Sequence, residues 1–132
     1  MLTFCTKCWL EMKVEENVCP HCRCRVDEDT RSYEERLHAA MHHSLPSTRV
    51  RICWILSRSR DRRAVSALLH MFEDEDIYVQ LAALKGLGTI GDQTVIPVLQ
   101  KASLSPSLMI RLAAAKALEA LASRGIVQHE SK

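Results

Sequence analysis

The chain is poor in glycine, proline and aromatic residues. Glycine and proline each occur four times in 132 residues, and aromatic side chains make up only 5%. Sandwiches and barrels of many short strands need frequent glycine and proline turns, so this scarcity argues against them and favours an all-α fold. Long apolar runs are also absent. Nothing approaches the roughly 20 residues of a membrane span, so we expect no membrane partner.

The N-terminus also lacks the pattern of a signal peptide, because no charged segment precedes an apolar stretch. The composition, 47% apolar and 26% charged with a net charge of +2, predicts a globular chain. We therefore expect a cytoplasmic protein. In that compartment, paired cysteines indicate metal or redox chemistry rather than structural disulfides.

Cysteine is abundant in one short segment. Two pairs have the same spacing, Cys5-x-x-Cys8 and Cys19-x-x-Cys22, with ten residues between them. Each pair can form a tight turn that directs two thiolates at one point, and four thiolates favour zinc, with iron as the lesser option. The spacing therefore predicts a Zn²⁺ site. Its binding would supply the folding free energy of a segment too short to fold alone.

The sequences "CTKC" and "CPHC" give residues 1–29 a resemblance to the short zinc ribbons at the ends of many prokaryotic proteins. The resemblance implies that the four paired cysteines are the ligands. Cys24 departs from the pattern and could compete for the fourth position. The alternatives are an iron–sulfur cluster, a thioredoxin-like redox pair and His21 as a ligand. No strand–helix pattern supports the redox pair, and four thiols complete the shell without a histidine.

The rest of the chain repeats at an interval of 31 residues. Asp61–Leu68 aligns with Asp92–Leu99 without a gap, and Val79–Leu87 aligns likewise with Ile110–Leu118. A weaker match extends back to about residue 30. Each repeat predicts two helices, which places helices near residues 30–43, 48–59, 62–73, 77–90, 94–103 and 108–123. A helical hairpin repeated in register predicts an α-solenoid, in which each unit contacts its neighbours.

The segment "VQLAALKGLGTIGDQTVIPVLQKA" makes residues 48–123 similar to the short HEAT-like repeats of phycobilisome lyase subunits and of many prokaryotic scaffold proteins. The resemblance implies that the second helix of each pair lines a concave face. It implies less about function, because that family includes binding scaffolds and a few enzymes. The predicted organisation is a zinc ribbon over residues 1–29, HEAT-like repeats over 30–125 and a frayed tail over 126–132.

Local signals predict the helix boundaries and the core. Gly91 should end a helix as a left-handed cap, Asp92 or Thr94 should begin the next, and Pro97 should lie in its first turn. Cys53 is expected to be a small core residue. The residues expected to be buried between repeats are Leu84, Leu87, Leu99, Leu112 and Leu118.

Charge is concentrated in the first repeat. Six arginines lie within fifteen residues: Arg49, Arg51, Arg58, Arg60, Arg62 and Arg63. Arginine pairs well with phosphates and carboxylates, so the cluster predicts a binding patch, with a solvated surface as the alternative. Trp54 occupies a position that holds Lys85 and Lys116 in later repeats. A tryptophan at such a solvent-facing position needs cover, and we expect the zinc ribbon, capping the repeats, or a partner to provide it.

The pattern as a whole predicts a non-enzymatic adaptor that presents a rigid helical surface to a protein partner. The alternatives are a nucleic-acid-associated module, made by the ribbon and the arginines, and a bilin-lyase-like accessory protein. A diiron-type site at Glu35, His38 and His42 is disfavoured, because the repeated His–Glu pairs of such proteins reduce here to His129–Glu130. The sequence contains no nucleophile–base motif and no glycine-rich phosphate loop.

Overall fold

The computed structural model describes residues 2–59 and 62–125. Over these residues the fold is all-α, as predicted, with a small two-stranded sheet near the N-terminus. The helices are α1 (Tyr33–Met41), α2 (Pro46–Ser57), α3 (Arg62–Met71), α4 (Ile77–Ile90), α5 (Ile96–Ala102) and α6 (Leu108–Ser123). Across the described ranges, no helix has both the length and the apolarity needed to cross a membrane.

The chain divides into two compact units, Met1–Ile52 and Cys53–Lys132, and the division falls within α2. The predicted boundaries at residues 29 and 125 stay predictions.

In the first unit, β1 (Leu2–Phe4) pairs antiparallel with β2 (Glu11–Lys13). The buried cluster beside this sheet consists of Cys5, Met12 and Cys19. So small a core cannot stabilise a fold alone, which agrees with a need for metal.

Helix α1 begins with a reciprocal cap. The backbone N–H of Glu35 donates to Ser32 Oγ at 3.1 Å, and the Glu35 carboxylate accepts from the backbone N–H of Ser32 at 2.8 Å. This capping box satisfies two N–H groups that have no partner within the helix. The Glu35 carboxylate is therefore engaged in capping the N-terminus of α1.

In the second unit, α3 packs against α4, α5 packs against α6, and α4 also packs against α6. Leu84, Leu87 and Leu99 are fully buried, as predicted. Cys53 is also fully buried, and burial raises the pKa of its thiol to about 12. A buried thiol of that kind is an inert core group.

Two of the predicted core positions are wrong. Leu112 is 61% exposed, and Leu118 is only partly buried. No later helix packs against α6 in the part of the chain that the structure describes, so the side of α6 that would face a further repeat stays open. The buried side of α6 is formed by Ile110, Ala114, Ala117 and Leu121.

The connection from α4 to α5 follows its predicted signals. Gly91 has a φ of 74° and donates its backbone N–H to the carbonyl of Leu87. The Asp92 carboxylate accepts from the N–H of Thr94, and Pro97 lies in the first turn of α5. Glycine adopts this left-handed conformation without the steric cost that a side chain adds.

Candidate metal centre and partner surface

The thiol groups of Cys5, Cys8, Cys19 and Cys22 converge on one point. All four sulfur atoms lie within 4.8 Å of one another. The Sγ atoms of Cys5 and Cys22 are 3.6 Å apart, and those of Cys8 and Cys19 are 3.7 Å apart. A tetrahedral site with metal–sulfur distances of about 2.3 Å separates its sulfurs by about 3.8 Å. The four side chains therefore fit a tetrahedrally coordinated metal ion.

Two turns of the same design hold these sulfurs. In the first, the backbone N–H groups of Lys7 and Cys8 are directed at the Cys5 sulfur, at 3.3 and 3.4 Å. In the second, the N–H groups two and three residues after Cys19 are directed at its sulfur, at 3.3 and 3.5 Å. Such donors stabilise the thiolate form, which is the form that binds metal.

The position of Cys24 follows from the same symmetry. The backbone N–H of Cys5 donates to the carbonyl of Leu10, and that of Cys19 donates to the carbonyl of Cys24, both at 2.9 Å. Cys24 thus takes the place that Leu10 has in the first turn, and its side chain packs against the small core around Met12. The group of side chains that could hold a metal ion consists of the two cysteine pairs and includes neither Cys24 nor His21.

The two turns also share a backbone strain. The residue after the second cysteine of each pair, Trp9 or Arg23, has a φ near the left-handed region, at 64° and 67°. Residues with a side chain rarely adopt this conformation, because the Cβ approaches the following carbonyl. Strain of this kind is concentrated at ligand-binding sites, and both residues directly follow candidate metal ligands.

The environment shifts the proton affinities of the thiols. Burial acts to raise the pKa of Cys19, but the backbone N–H groups of Cys22 and His21 outweigh it and the pKa falls to about 6. Burial raises the pKa of Cys8 to about 12, and it also raises the pKa of Cys22. A divalent cation bound among them would favour the thiolate form of all four.

Arginine side chains from the helical part of the first unit contact the first cysteine turn. Arg31 forms a two-pronged ion pair with the Asp29 carboxylate, at 2.7 and 2.9 Å, and donates to the carbonyl of Thr6 at 3.3 Å. Arg51, on α2, donates to the carbonyl of Cys8 at 2.9 Å. The candidate metal site is therefore tied to α2 and to the segment that precedes α1 through backbone carbonyls of one turn.

These contacts change how the arginine cluster must be understood. Arg51 contacts Cys8, and Arg49 donates to the carbonyl of His43. Both side chains are only partly exposed. Arg58, Arg62 and Arg63 are exposed, whereas Arg60 lies outside the described residues.

Trp54 is 51% exposed, so the expectation that the chain itself buries it is wrong, and cover by a partner stays a prediction. The guanidinium carbon of Arg58 lies 4.7 Å from the centre of its ring, a distance typical of a cation–π contact. Arg58, the residue that follows α2, thus gives the ring partial cover. Lys85 and Lys116, at the equivalent positions of later repeats, are exposed as expected.

A groove between α4 and α6, with a volume of about 500 Å³, was not foreseen from the sequence. The residues that line it are Leu81, Lys85, Gly88, Thr89, Ala113, Lys116, Ala117, Ala120 and Arg124. One signal was available in the sequence. Lys85 is followed by Gly88 in one repeat, and Lys116 is followed by Ala117 and Ala120 in the next. A second cavity, of about 340 Å³, shares Thr89 and Arg124 with the groove and extends to Arg58.

The diiron-type alternative finds no support in the geometry. Glu35 is used in the cap of α1. The His42 ring packs on the His38 ring with centres 4.5 Å apart, and its Nδ1 lies 2.9 Å from the His38 carbonyl oxygen. Over residues 2–59 and 62–125, the four cysteines are the one group of three or more side chains placed to share a metal. His129–Glu130 lies outside the described residues.

Two comparisons with known proteins bear on the fold. Residues 33–119 match the family of HEAT repeats. A relative described as "Uncharacterized phycocyanin operon protein Z", from Pseudanabaena tenuis (strain PCC 7409), is 30% identical over 84 residues. The match covers 64% of this chain but only 42% of that relative, so the chain spans about two fifths of the relative's length.

Proposed function

The chain belongs to the family of HEAT repeats, and from this membership we propose that it is a non-enzymatic protein-interaction scaffold with a structural zinc ribbon. The observation that carries the proposal is the exposed surface of the second helices in the hairpins, where Trp54, Lys85 and Lys116 recur at equivalent positions. Packed helical repeats offer a rigid surface of this kind to partners. Such a scaffold acts by binding and needs no reacting group.

Zinc is the metal that this site suits best. Four thiolates in tetrahedral geometry select zinc or iron, and a closed four-ligand shell leaves no open position for catalysis. The surroundings suit a structural role, because Arg31 and Arg51 connect the first cysteine turn to the segment that precedes α1 and to α2. Metal binding then stabilises the start of the helical part. Free thiols in this number are compatible with the cytoplasm, where we place the protein.

Metal analysis of five single serine variants tests the site. The purified chain should contain one zinc ion per molecule. Replacement of Cys5, Cys8, Cys19 or Cys22 by serine should release it, because three thiolates leave the shell incomplete. Cys24→Ser is the matched control and should keep the metal. Iron in place of zinc, or loss of metal in Cys24→Ser with retention in Cys22→Ser, would overturn the assignment.

Photo-crosslinking tests the scaffold role. A photoreactive residue is placed in turn at exposed positions on four helices, Trp54, Ser66, Thr89 and Leu112, and the chain is irradiated in an extract of its native cell. A scaffold should yield a discrete crosslinked partner from at least one position and different yields from the others. The absence of a specific product at every position would contradict the proposal.

A second candidate is a bilin-lyase-like accessory role. The observation that favours it is the relative's name, which assigns that relative to a phycocyanin operon. The test mixes the purified chain with free phycocyanobilin and with apo-phycocyanin, and follows pigment absorbance and covalent attachment. Faster attachment than without the chain would favour this role. An unchanged attachment rate together with no pigment binding would exclude it.

A further inference from the structure

We propose that the groove between α4 and α6 binds an acidic amphipathic helix of a partner protein. The inference rests on the proposed scaffold function and names the chemistry of the partner. It is carried by three features of the second unit: an apolar floor, a basic rim and the absence of backbone groups to pair with an extended chain.

The floor of the groove is apolar and built from small residues. Gly88, Ala113, Ala117 and Ala120 lie there beside the larger Leu81. The two helix backbones approach closely, since a Cβ added at Gly88 would lie 2.8 Å from the Cβ of Ala117. Small side chains on facing helices leave a depression that large apolar side chains of a partner can fill. Burial of their surface drives association.

The rim of the groove is basic. The side chains of Lys85 and Lys116 are exposed, and no carboxylate in the described part of the chain forms an ion pair with either. Arg124 stays at the rim because its guanidinium donates to the carbonyls of Gly88 and Thr89, at 3.2 and 3.0 Å. Among the described residues that line the groove, none is acidic.

The basic character continues beyond the groove. The adjoining cavity adds Arg58, which shares its walls with Thr89 and Arg124. The acidic run Glu73–Asp76 lies at the other end of α4, where Asp76 caps the helix. Charge is thus separated along α4, and the charged side chains among the described lining residues are all cationic. Complementary carboxylates would direct the partner to this surface and disfavour basic competitors.

The walls favour a helix over an extended segment. Both walls are α-helices, whose backbone groups are paired internally away from the ends. A β-strand lying on them would leave its own N–H and C=O groups without partners on an apolar floor, which is costly. A helix satisfies its backbone internally. It presents apolar side chains at intervals of three and four residues, which suits a groove between two helices.

Binding of a designed probe tests the proposal. The probe is a fluorescein-labelled helical peptide of about 18 residues, with leucine along one face and glutamate on both flanks. A control peptide carries glutamine in place of every glutamate. Fluorescence anisotropy with the zinc-loaded full chain should show the glutamate peptide binding about tenfold tighter or more, because its carboxylates meet Lys85, Lys116 and Arg124.

Charge-reversal variants locate the binding. The double variant Lys85→Glu/Lys116→Glu should weaken the glutamate peptide by at least about tenfold, and its circular dichroism should show that it folds. Lys101→Glu, an exposed residue on α5 outside the groove, is the matched control and should leave binding unchanged. Equal binding of the two peptides, or equal loss in both variants, would overturn the proposal.

Two other occupants are tested in the same assay. Displacement of the peptide by a short DNA duplex, with strong salt dependence, would assign the groove to nucleic acid and overturn the proposal. Sedimentation would detect a dimer lost in the charge-reversal variant, which would assign the groove to a second copy of the chain. Loss of the Thr89 crosslink in the charge-reversal variant would support the proposal. Crosslinks from other positions alone would keep the scaffold function and refute the groove.

Discussion

Substitution of Gly88 by alanine should loosen the packing of α4 on α6. The Cβ added by this change would lie 2.8 Å from the Cβ of Ala117, well inside the usual carbon–carbon contact of about 3.5–4.0 Å. Ala117 is itself buried and has no flexible side chain that could move away. The two helices must therefore shift apart along their contact.

The size of the effect follows from two opposing terms. Alanine is better than glycine in a helix by about 1 kcal/mol, whereas overpacking of a core typically costs about 1–3 kcal/mol. Gly88→Ala should therefore destabilise the chain by about 0–2 kcal/mol. Ala117→Gly should cost about 2 kcal/mol, from helix propensity and one buried methyl group. The double variant moves the methyl group from one helix to the other and removes the 2.8 Å contact. The Cα at position 117 still lies 3.2 Å from the added Cβ, so the double variant should be about 1 kcal/mol less stable than the wild type.

Urea unfolding of the zinc-loaded chain, followed by circular dichroism, measures this coupling. The double variant should be more stable than the sum of the single changes predicts, by about 2 kcal/mol. Gly86→Ala is the matched control. Its added Cβ would meet the end of the Leu68 side chain at 3.1 Å and the Cβ of Ser57 at 3.3 Å, and both contacts are longer than the 2.8 Å contact at Gly88. Additive single changes, or a Gly88→Ala variant more stable than Gly86→Ala, would refute the reasoning.

Three further predictions concern the core, the metal site and the exposed ring. Leu87→Ala should lower the free energy of unfolding by about 2–5 kcal/mol, whereas the exposed Leu112→Ala should change it by under about 1 kcal/mol; equal urea midpoints would contradict the fold. Arg51→Ala should leave one zinc ion bound but speed its removal by a chelator. An unchanged rate of zinc release would show that the contact between Arg51 and the cysteine turn does not stabilise the bound metal. Trp54 should emit at long wavelength in a Trp9→Phe chain, and blue-shifted emission would contradict its exposure.

The sequence predicted the helical part well because its signals are local. The described helices fall at the predicted positions, and Gly91, Asp92 and Pro97 take their expected places between α4 and α5. These features depend on apolar periodicity and on the conformational preferences of single residues. Local signals do not indicate which side of a helix a neighbour covers. For that reason the burial of Leu112 and Leu118 was predicted wrongly.

Trp54 is a second position where the sequence indicated the location of a side chain but not what covers it. The alignment of repeats correctly placed it at a solvent-facing position, beside the lysines of later repeats. The expected cover of the ring depended on the assumption that a tryptophan side chain must pack against a large apolar surface. In the structure, the guanidinium of Arg58 lies over the ring, and about half of the residue stays exposed. A cation four residues after the tryptophan was visible in the sequence and is a recognisable signal.

The metal site separates what spacing predicts from what it cannot. Two Cys-x-x-Cys pairs predict four converging thiols, and the structure brings those four together. A comparison of "CTKCWL" with "CPHCRC" would also have placed Cys24 opposite Leu10, a position that gives a backbone carbonyl to the turn and no ligand. No comparable sequence pattern predicted how the site is attached to the helical residues. Arg31 and Arg51 bind carbonyl groups, which every residue possesses, so only the fold can select which arginines reach them. One arginine of the cluster that suggested a binding surface, Arg51, therefore joins the candidate metal site to α2. A test of surface binding must exclude this residue.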